Sequence, residues 1–298
     1  RGSRMTGAQS ITQSQGGKWH GRYGVAACPV CQPERRSDQT ALTVSDTPEG
    51  RLLAHCKKSG CSFGDLAAAL GLSAGDFTKP DPAEAARRHA EQRAEAEKKA
   101  RQAMAIWAES QPIGGTVAEA YLRGRGLTCA LPETLRFHPA CWHISAQRLP
   151  ALVALVEGCD LPAVHRTWLR ADGSAKTAVE PPKAMLGSVS GGAVRLAAGP
   201  GPLAVAEGIE TALSLACGPL SGPAAIWAAL STSGLRGLRL PAIPGALIVA
   251  ADGDEPGQAA AYALAERANA LGWTVTMFPA PEGRDWNDVI QSKKGAVA

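Results

Sequence analysis

Two carboxylates directly follow a run of apolar residues in the stretch "LIVAADGDEPG". Asp252 and Asp254 in this stretch would repel each other and lose hydration unless a positive charge lay between them. The stretch "PLAVAEG" brings Glu207 to a similar position, and "GRDWNDVI" supplies Asp285 and Asp288. Oxygen ligands without His or Cys suit Mg²⁺ or Mn²⁺. We therefore expect these carboxylates to form a metal site.

Four cysteines near the start of the chain form a second candidate metal site. They are Cys28 and Cys31 in "CPVC", and Cys56 and Cys61 in "CKKSGC". Two such pairs can converge tetrahedrally on one zinc ion, with each thiolate at ~2.3 Å. His20 and His55 are competing ligands. His55 is the less favoured, because it precedes Cys56 and in a strand would point to the opposite face. A four-cysteine site has no open position for catalysis, so the expected zinc is structural. The remaining cysteines are scattered singly and are expected to be buried thiols of no special role: Cys129, Cys141, Cys159 and Cys217.

Charge is divided unevenly along the chain. Residues 1–80 carry ten Lys or Arg against six Asp or Glu, whereas residues 201–298 carry six against nine. A basic front and an acidic back suit a protein that holds a polyanion with one part and cations with the other, although ordinary variation in surface charge is the alternative. Basic and aromatic side chains alternate around the cysteines and could pair with phosphates and stack on bases. They are Lys18, Trp19, Arg22, Tyr23, Arg35, Arg36, Arg51, Lys57, Lys58 and Phe63.

The order of the predicted elements indicates an α/β protein. Two short strands and a short helix surround the cysteines, and one long, mostly solvated helix is predicted over "DPAEAARRHAEQRAEAEKKARQAMAIWAES". A second helix and a set of short strands follow. From residue 201 strands alternate with helices, which implies a parallel sheet with helices on its faces and functional groups at the strand ends. The predicted parts are 18–78, a nucleic-acid-binding zinc ribbon; 81–126, a helical connector; 127–200, a mixed-strand subdomain; and 201–298, the catalytic domain.

The acidic motifs resemble a known domain. Glu-Gly, then Asp-x-Asp in "DGDEPG", then Gly-Arg-Asp is similar to the TOPRIM domain shared by bacterial-type primases and topoisomerases. The segments "HCKKSGCSFGDLAAAL", "AYLRGRGL", "LRFHP", "VHRTWL", "VAEGIETALS" and "GRDWNDVI" together resemble the primases of phages, plasmids and integrative elements. The resemblance covers nearly the whole chain after residue 18 except the helical connector. It implies a TOPRIM domain preceded by a small mixed-strand primase subdomain and a zinc ribbon.

The resemblance also implies a reaction. Primer synthesis joins ribonucleotides on a single-stranded DNA template, and two metal ions can activate the attacking hydroxyl and neutralise the leaving pyrophosphate. The implied catalytic residues are Glu207, Asp252, Asp254 and Asp285. Glu207 would be either a metal ligand or the general base. The third motif departs from the usual Asp-x-Asp, which leaves open whether Asn287 or Asp288 contacts metal.

Five cations are candidates for holding triphosphate or template phosphates. Arg166, Lys176 and Lys183 lie in the segments before the TOPRIM domain, and the family pattern supports only Arg166 and Lys183. Arg123 and Arg125 are weaker template candidates, because they could simply end a helix.

The residues alone leave two other functions open. A metal-dependent nuclease could use the same carboxylates, and a catalytically silent module could only bind single-stranded nucleic acid. The expected partners of a primase are single-stranded DNA and nucleoside triphosphates. No Gly-x-x-x-x-Gly-Lys-[Ser/Thr] occurs, so unwinding would need a separate replicative helicase. No apolar run approaches the ~20 residues of a membrane span and no signal-peptide pattern is present, so we expect no membrane partner and a cytoplasmic location.

Overall fold

The computed structural model describes residues 7–36, 38–47, 51–72 and 82–295. The chain folds as two compact units, Arg1–Ala94 and Glu95–Ala298.

The first unit is built on an antiparallel sheet. Its strands, in spatial order, are β1 Lys18–Trp19, β2 Tyr23–Ala26, β3 Leu42–Asp46 and β4 Leu52–Cys56. Helix α1, Gly7–Ser14, packs on this sheet, and the amide of Ala8 donates to Asp46 Oδ2 at 3.1 Å. Helix α1 was not predicted, because an eight-residue segment with one large apolar residue carries almost no periodic signal. Helix α2, Phe63–Ala69, begins after Ser62, whose hydroxyl accepts the amide of Asp65. The predicted ribbon strands and this helix are confirmed.

Helix α3 extends over Pro82–Glu109, so the long predicted helix is present. Pro82 lies in its first turn, where its missing N–H is of no consequence. The described side chains of this helix are mostly exposed, as predicted, but its second half also carries a buried face. Ala103 is buried, and Ile106 and Trp107 also pack against the sheet of the second unit, because these three residues share one face of the helix.

A five-stranded antiparallel sheet follows in the second unit. Its strands, in spatial order, are β5 Gln111–Pro112, β6 Leu135–Trp142, β7 Arg148–Val156, β8 Ala163–Trp168 and β9 Lys183–Leu186. Helix α4, Val117–Gly124, lies between β5 and β6 in the chain. Every residue of β8 is buried. One face of this sheet packs against α3, and the other joins the large core of the unit.

The last sheet positions the acidic motifs. Its strands, in spatial order, are β10 Val194–Ala197, β12 Ala225–Ala228, β11 Leu203–Ala206, β13 Ala246–Ala250 and β14 Thr274–Met277. Only β10, which comes from the segment assigned to 127–200, pairs antiparallel; the other pairs are parallel. The helices of this region are α5 Ile209–Ala216, α6 Thr232–Gly237, α7 Glu255–Ala270 and α8 Trp286–Gly295. Buried β11 and the connecting helices confirm the predicted parallel sheet.

Within the described ranges, none of the helices combines the length and apolar character that crossing a membrane requires.

Candidate functional site

Three neighbouring parallel strands deliver carboxylates to one edge of the last sheet. Glu207 follows β11, Asp252 and Asp254 follow β13, and Asp285 follows β14. Parallel strands present their carboxyl ends on the same side, so these groups meet there. We call these four residues the carboxylate edge.

Asp252 lies at the centre of the carboxylate edge. Burial, followed by the negative charges of Glu207, Asp285 and Asp254, raises the pKa of Asp252 to about 7, and Lys183 only partly offsets this. Its Oδ1 atom is buried and has no hydrogen-bond partner in the described part of the protein. A buried carboxylate oxygen without a partner, surrounded by other carboxylates, is the donor set that a hard divalent cation prefers. The residues therefore fit Mg²⁺ or Mn²⁺.

Glu207 shares this environment. Burial and the nearby Asp254 raise its pKa, while Lys183 and the backbone N–H of Thr232 act in the opposite direction. The amide of Leu230 donates to the Glu207 carbonyl at 2.7 Å, which attaches the loop after β12 to this corner. The side chain thus sits among neighbours that favour a shared proton or a cation.

Two loops are locked together to support the carboxylate edge. The amide of Gly253 donates to the carbonyl of Arg284 at 2.8 Å, and the amide of Gly283 donates to the carbonyl of Gly253 at 3.0 Å. A Cβ atom at Gly253 would overlap the carbonyl oxygen of Pro281, so only glycine permits this approach. Asp254 accepts the amide of Gly257 at 2.8 Å and so caps α7.

Asp288 and Asn287 have local partners. Asp285 Oδ1 accepts the amide of Asp288 at 2.7 Å, and Asp288 Oδ2 accepts the amide of Asp285 at 3.2 Å, a reciprocal cap of α8. Asn287 is fully buried and donates to the carbonyl of Arg125 at 3.0 Å and to Ser214 Oγ at 3.1 Å. Asn287 therefore anchors the start of α8, and the contact of Asp288 with metal stays a prediction.

The two predicted lysines have different surroundings. Lys183 is exposed and its charge acts on both Glu207 and Asp252. Lys176 Nζ instead lies 2.8 Å from Glu210 Oε1, which also accepts the hydroxyl of Tyr121 at 2.7 Å. Burial would raise the pKa of Glu210, but Lys176 and Tyr121 outweigh it and lower this pKa to about 2. Lys176 is thus held in an ion pair next to the first turn of α5.

Arg166 is largely enclosed. It is 7% exposed, its guanidinium lies 4.8 Å from the centre of the Trp168 ring, and Nη1 donates to the carbonyl of Trp142 at 3.4 Å. His165, on the opposite face of β8, is buried, and burial lowers its pKa to about 4 although the charge of Glu210 acts in the opposite direction. The role of Arg166 in binding phosphate stays a prediction.

Arg123 and Arg125 lie at the end of α4. Arg123 bonds Glu119 at 3.1 Å and donates to the carbonyls of Leu127 and Cys129 at 2.7 Å each. Arg125 uses its carbonyl to hold Asn287, and its buried Nε has no partner in the described ranges. Arg123 thus fixes the segment that follows α4, Arg125 connects the end of α4 to α8, and template binding by both stays a prediction.

Sequence reasoning missed Tyr121 and the role of Glu210. Glu210 joins α4, the turn before β9 and α5 through two side-chain contacts. Tyr121 stands in the segment "AYLRGRGL" that the sequence analysis singled out, but its partner lies 89 residues away in the chain. No local pattern signals a contact of that range.

The four cysteines of the first unit converge on one point. Their Sγ atoms all lie within 4.8 Å of one another, with 3.9 Å between Cys28 and Cys61 and 3.5 Å between Cys31 and Cys56. Zn–S bonds of about 2.3 Å in a tetrahedron require sulfur atoms roughly 3.8 Å apart. Burial raises the pKa of Cys56, but the amides of Ser59 and Cys61 and the Cys31 thiol outweigh it and lower the pKa to about 6. The cluster fits zinc. Among the described residues it is the only group of three or more potential ligands this compact, so the carboxylate edge is more open.

Residues 202–296 match the family described as "Toprim domain", and residues 97–196 match the "Domain of unknown function (DUF7146)". The part of the chain that carries the carboxylate edge is therefore a Toprim domain. The predicted fold class is confirmed: an α/β Toprim sheet with flanking helices, preceded by a mixed-strand region and a four-cysteine ribbon.

Three solved structures are similar to this chain. A DNA primase domain from Pseudomonas aeruginosa is 19% identical, with 61% of this chain and 69% of that chain covered and a TM-score of 0.38. The Aquifex aeolicus primase, with its zinc-binding and RNA polymerase domains, is 13% identical, with 97% and 80% covered and a TM-score of 0.39. The RNA polymerase domain of the Mycobacterium tuberculosis primase is 18% identical, with 62% and 61% covered and a TM-score of 0.31. No curated protein matches the sequence.

Proposed function

We propose that this chain is a DNA primase that synthesises short RNA primers on single-stranded DNA, for the replication of a mobile element. The observation that carries the proposal is the carboxylate edge of the Toprim domain, where a buried oxygen of Asp252 has no partner among the described residues and the charge of Lys183 acts on this carboxylate. The mobile-element setting depends on the resemblance of the sequence segments to primases of phages, plasmids and integrative elements.

The carboxylate edge would hold the divalent cations, with Asp288 as a further candidate ligand. Bound there, two cations would lower the pKa of the attacking hydroxyl and balance the charge of the departing pyrophosphate. Glu207 is either a ligand or the group that accepts the proton of that hydroxyl, and its raised pKa suits both roles. Lys183 would hold triphosphate oxygens, since it is exposed and its charge acts on two members of the edge.

The cysteine cluster supports the proposal that the ribbon binds the single-stranded template. A zinc ion held by four thiolates would stabilise a ribbon that is too small to build a large core. Basic and aromatic side chains of this ribbon, including the exposed Tyr23 and Phe63, would then contact single-stranded DNA. A nuclease would have no evident need for this second module.

One incubation tests the proposal. The protein is mixed with single-stranded DNA, labelled ribonucleotides and Mg²⁺ or Mn²⁺, in parallel with Asp252→Asn, Asp254→Asn and the control Glu266→Gln on the exposed side of α7. We expect new short oligonucleotides from the unaltered chain and from the control, and none from the two aspartate variants. Degradation of the DNA would identify a nuclease instead, and retention of DNA without chemistry would identify a binding module.

A further inference from the structure

The turn between β6 and β7 exposes unusually large apolar side chains. In this hairpin tip, residues 142–148, Trp142 is 49% exposed and Ile144 is 70% exposed. Arg148 is also exposed, with its guanidinium 6.0 Å from the centre of the Trp142 ring. Large apolar side chains that are exposed to water indicate an interaction site, so we expect a partner to bind at this tip.

Hydrogen bonds of the buried His143 side chain hold the backbone of the hairpin tip in place. His143 is fully buried, and its Nδ1 accepts the amide of Ser145 at 3.1 Å and lies 2.7 Å from the Ser145 hydroxyl. The other ring nitrogen must then carry the proton, and it donates to the carbonyl of Pro181 at 2.9 Å. The His143 ring also meets the buried Trp168 edge-on at 4.5 Å. The exposed Trp142 therefore lies next to a residue whose position is fixed by buried contacts.

The hairpin tip is linked indirectly to the carboxylate edge, through Pro181 and Lys183. Pro181, which accepts the His143 bond, stands two residues before Lys183, and two residues span at most roughly 7 Å. Lys183 in turn acts on Glu207 and Asp252. A strand of nucleic acid that reached the proposed active site past Lys183 would pass close to this tip.

The charge of the hairpin favours a polyanion. Residues 135–156 contain two arginines and no Asp or Glu. The guanidinium of Arg136 already packs on the Trp107 ring, with 4.3 Å to the ring centre. Within the described ranges Arg148 donates one hydrogen bond, from Nη1 to the carbonyl of Ala140 at 3.3 Å, which leaves other N–H groups of its exposed guanidinium for a phosphate.

We propose that Trp142 and Arg148 form a platform for single-stranded nucleic acid, on which one base stacks against the indole while the guanidinium pairs with the adjacent phosphate. This inference rests on the proposed function for the source of the strand, though binding can be measured without primer synthesis. Stacking on an indole is tolerant of base identity, so the platform would hold a template of any sequence.

Binding of a short fluorescent deoxythymidine oligonucleotide tests the platform. We expect Trp142→Ala to weaken binding roughly 5- to 150-fold, as loss of one base–aromatic stack does, and Trp142→Phe to restore most of it. The matched control Tyr262→Ala removes an aromatic side chain that is 58% exposed on α7 and should leave binding unchanged. Arg148→Met should reduce the slope of log affinity against log salt by about 0.7.

The outcomes separate the platform from the proposed function. Equal affinity of Trp142→Ala and the unaltered chain, or an equal loss in Tyr262→Ala, would overturn the platform. Binding that depends on Trp142 in a chain that makes no primers would retain the platform and remove the primase. If Trp142→Ala does not fold, the salt slope of Arg148→Met decides, and an unchanged slope overturns the inference.

Discussion

Replacing Asp252 by Asn should stabilise the protein when Mg²⁺ and Mn²⁺ are absent. Asp252 has a pKa of about 7 in the folded protein instead of its ordinary 3.8, and burial is the largest cause. Each pKa unit corresponds to about 1.4 kcal/mol, so keeping this carboxylate ionised costs about 4 kcal/mol before screening. Asp252 is only half-buried, and allowance for solvent screening reduces the cost to about 2 kcal/mol.

The sign of the pH dependence follows from proton binding. Between pH 4 and pH 7, as pKa values of 3.8 unfolded and about 7 folded require, the folded protein holds a proton on Asp252 that the unfolded chain has lost. This contribution to stability is complete below the unfolded pKa and is lost as the pH rises through the folded pKa. Asp252→Asn has no such loss, so its advantage over the unaltered chain should grow from pH 5 to pH 8.

Thermal unfolding measures this difference. At pH 8, in a buffer free of Mg²⁺ and Mn²⁺ but without a chelator that would strip zinc, Asp252→Asn should melt about 4 to 8 °C above the unaltered chain. Added Mg²⁺ should then stabilise the unaltered chain by about 1.4 kcal/mol at ten times its Kd, and the variant by less. Glu266→Gln, the control, should melt like the unaltered chain and be stabilised by Mg²⁺ to the same extent. A variant that melts lower than the unaltered chain at pH 8 without Mg²⁺ would refute the reasoning.

Three further changes have expected outcomes. Cys28→Ser with Cys31→Ser should abolish binding of one zinc ion, measured by elemental analysis, and unfold the first unit as seen by proteolysis; retained zinc would contradict the four-thiolate site. Glu210→Gln should lower the free energy of unfolding by about 2 kcal/mol in urea titrations, because Lys176 loses its charged partner, and an unchanged midpoint would show that the ion pair contributes nothing. Gly253→Ala should abolish primer synthesis while the first unit keeps its zinc, because the new methyl group would push apart the two loops of the carboxylate edge; full activity would exclude that close approach.

Much of the carboxylate edge could be predicted from local pattern. Apolar runs followed by Glu207 or Asp252 indicate buried strands that end in charge, and strand–helix alternation requires parallel pairing, which brings the ends together. The paired spacing of the four cysteines was equally local, since each pair occupies one turn. The positions of these residues at strand ends and turns could be predicted because neighbouring residues in the chain determine strands and turns.

Which of the basic side chains remain available to bind a phosphate could not be predicted in this way. Lys176, Arg166 and Lys183 all lie in the segments before the Toprim domain, yet Lys176 is paired with Glu210 and Arg166 is enclosed beside Trp168. Similarly, Cys129 and Cys217 are far apart in the chain and were read as unconnected thiols, but the amide of Cys129 donates to Cys217 Sγ at 3.4 Å.

The sequence by itself determined the type of sheet, the strand ends that carry charge and the cysteine pairs, because hydrophobic period and turn residues act over a few positions. Only the tertiary structure decided which charges meet a partner. Asn287 finds the carbonyl of Arg125 across 162 residues, and Glu210 finds Tyr121 across 89. Those contacts depend on how whole elements pack, and packing sets both burial and pKa through the shape of the entire core.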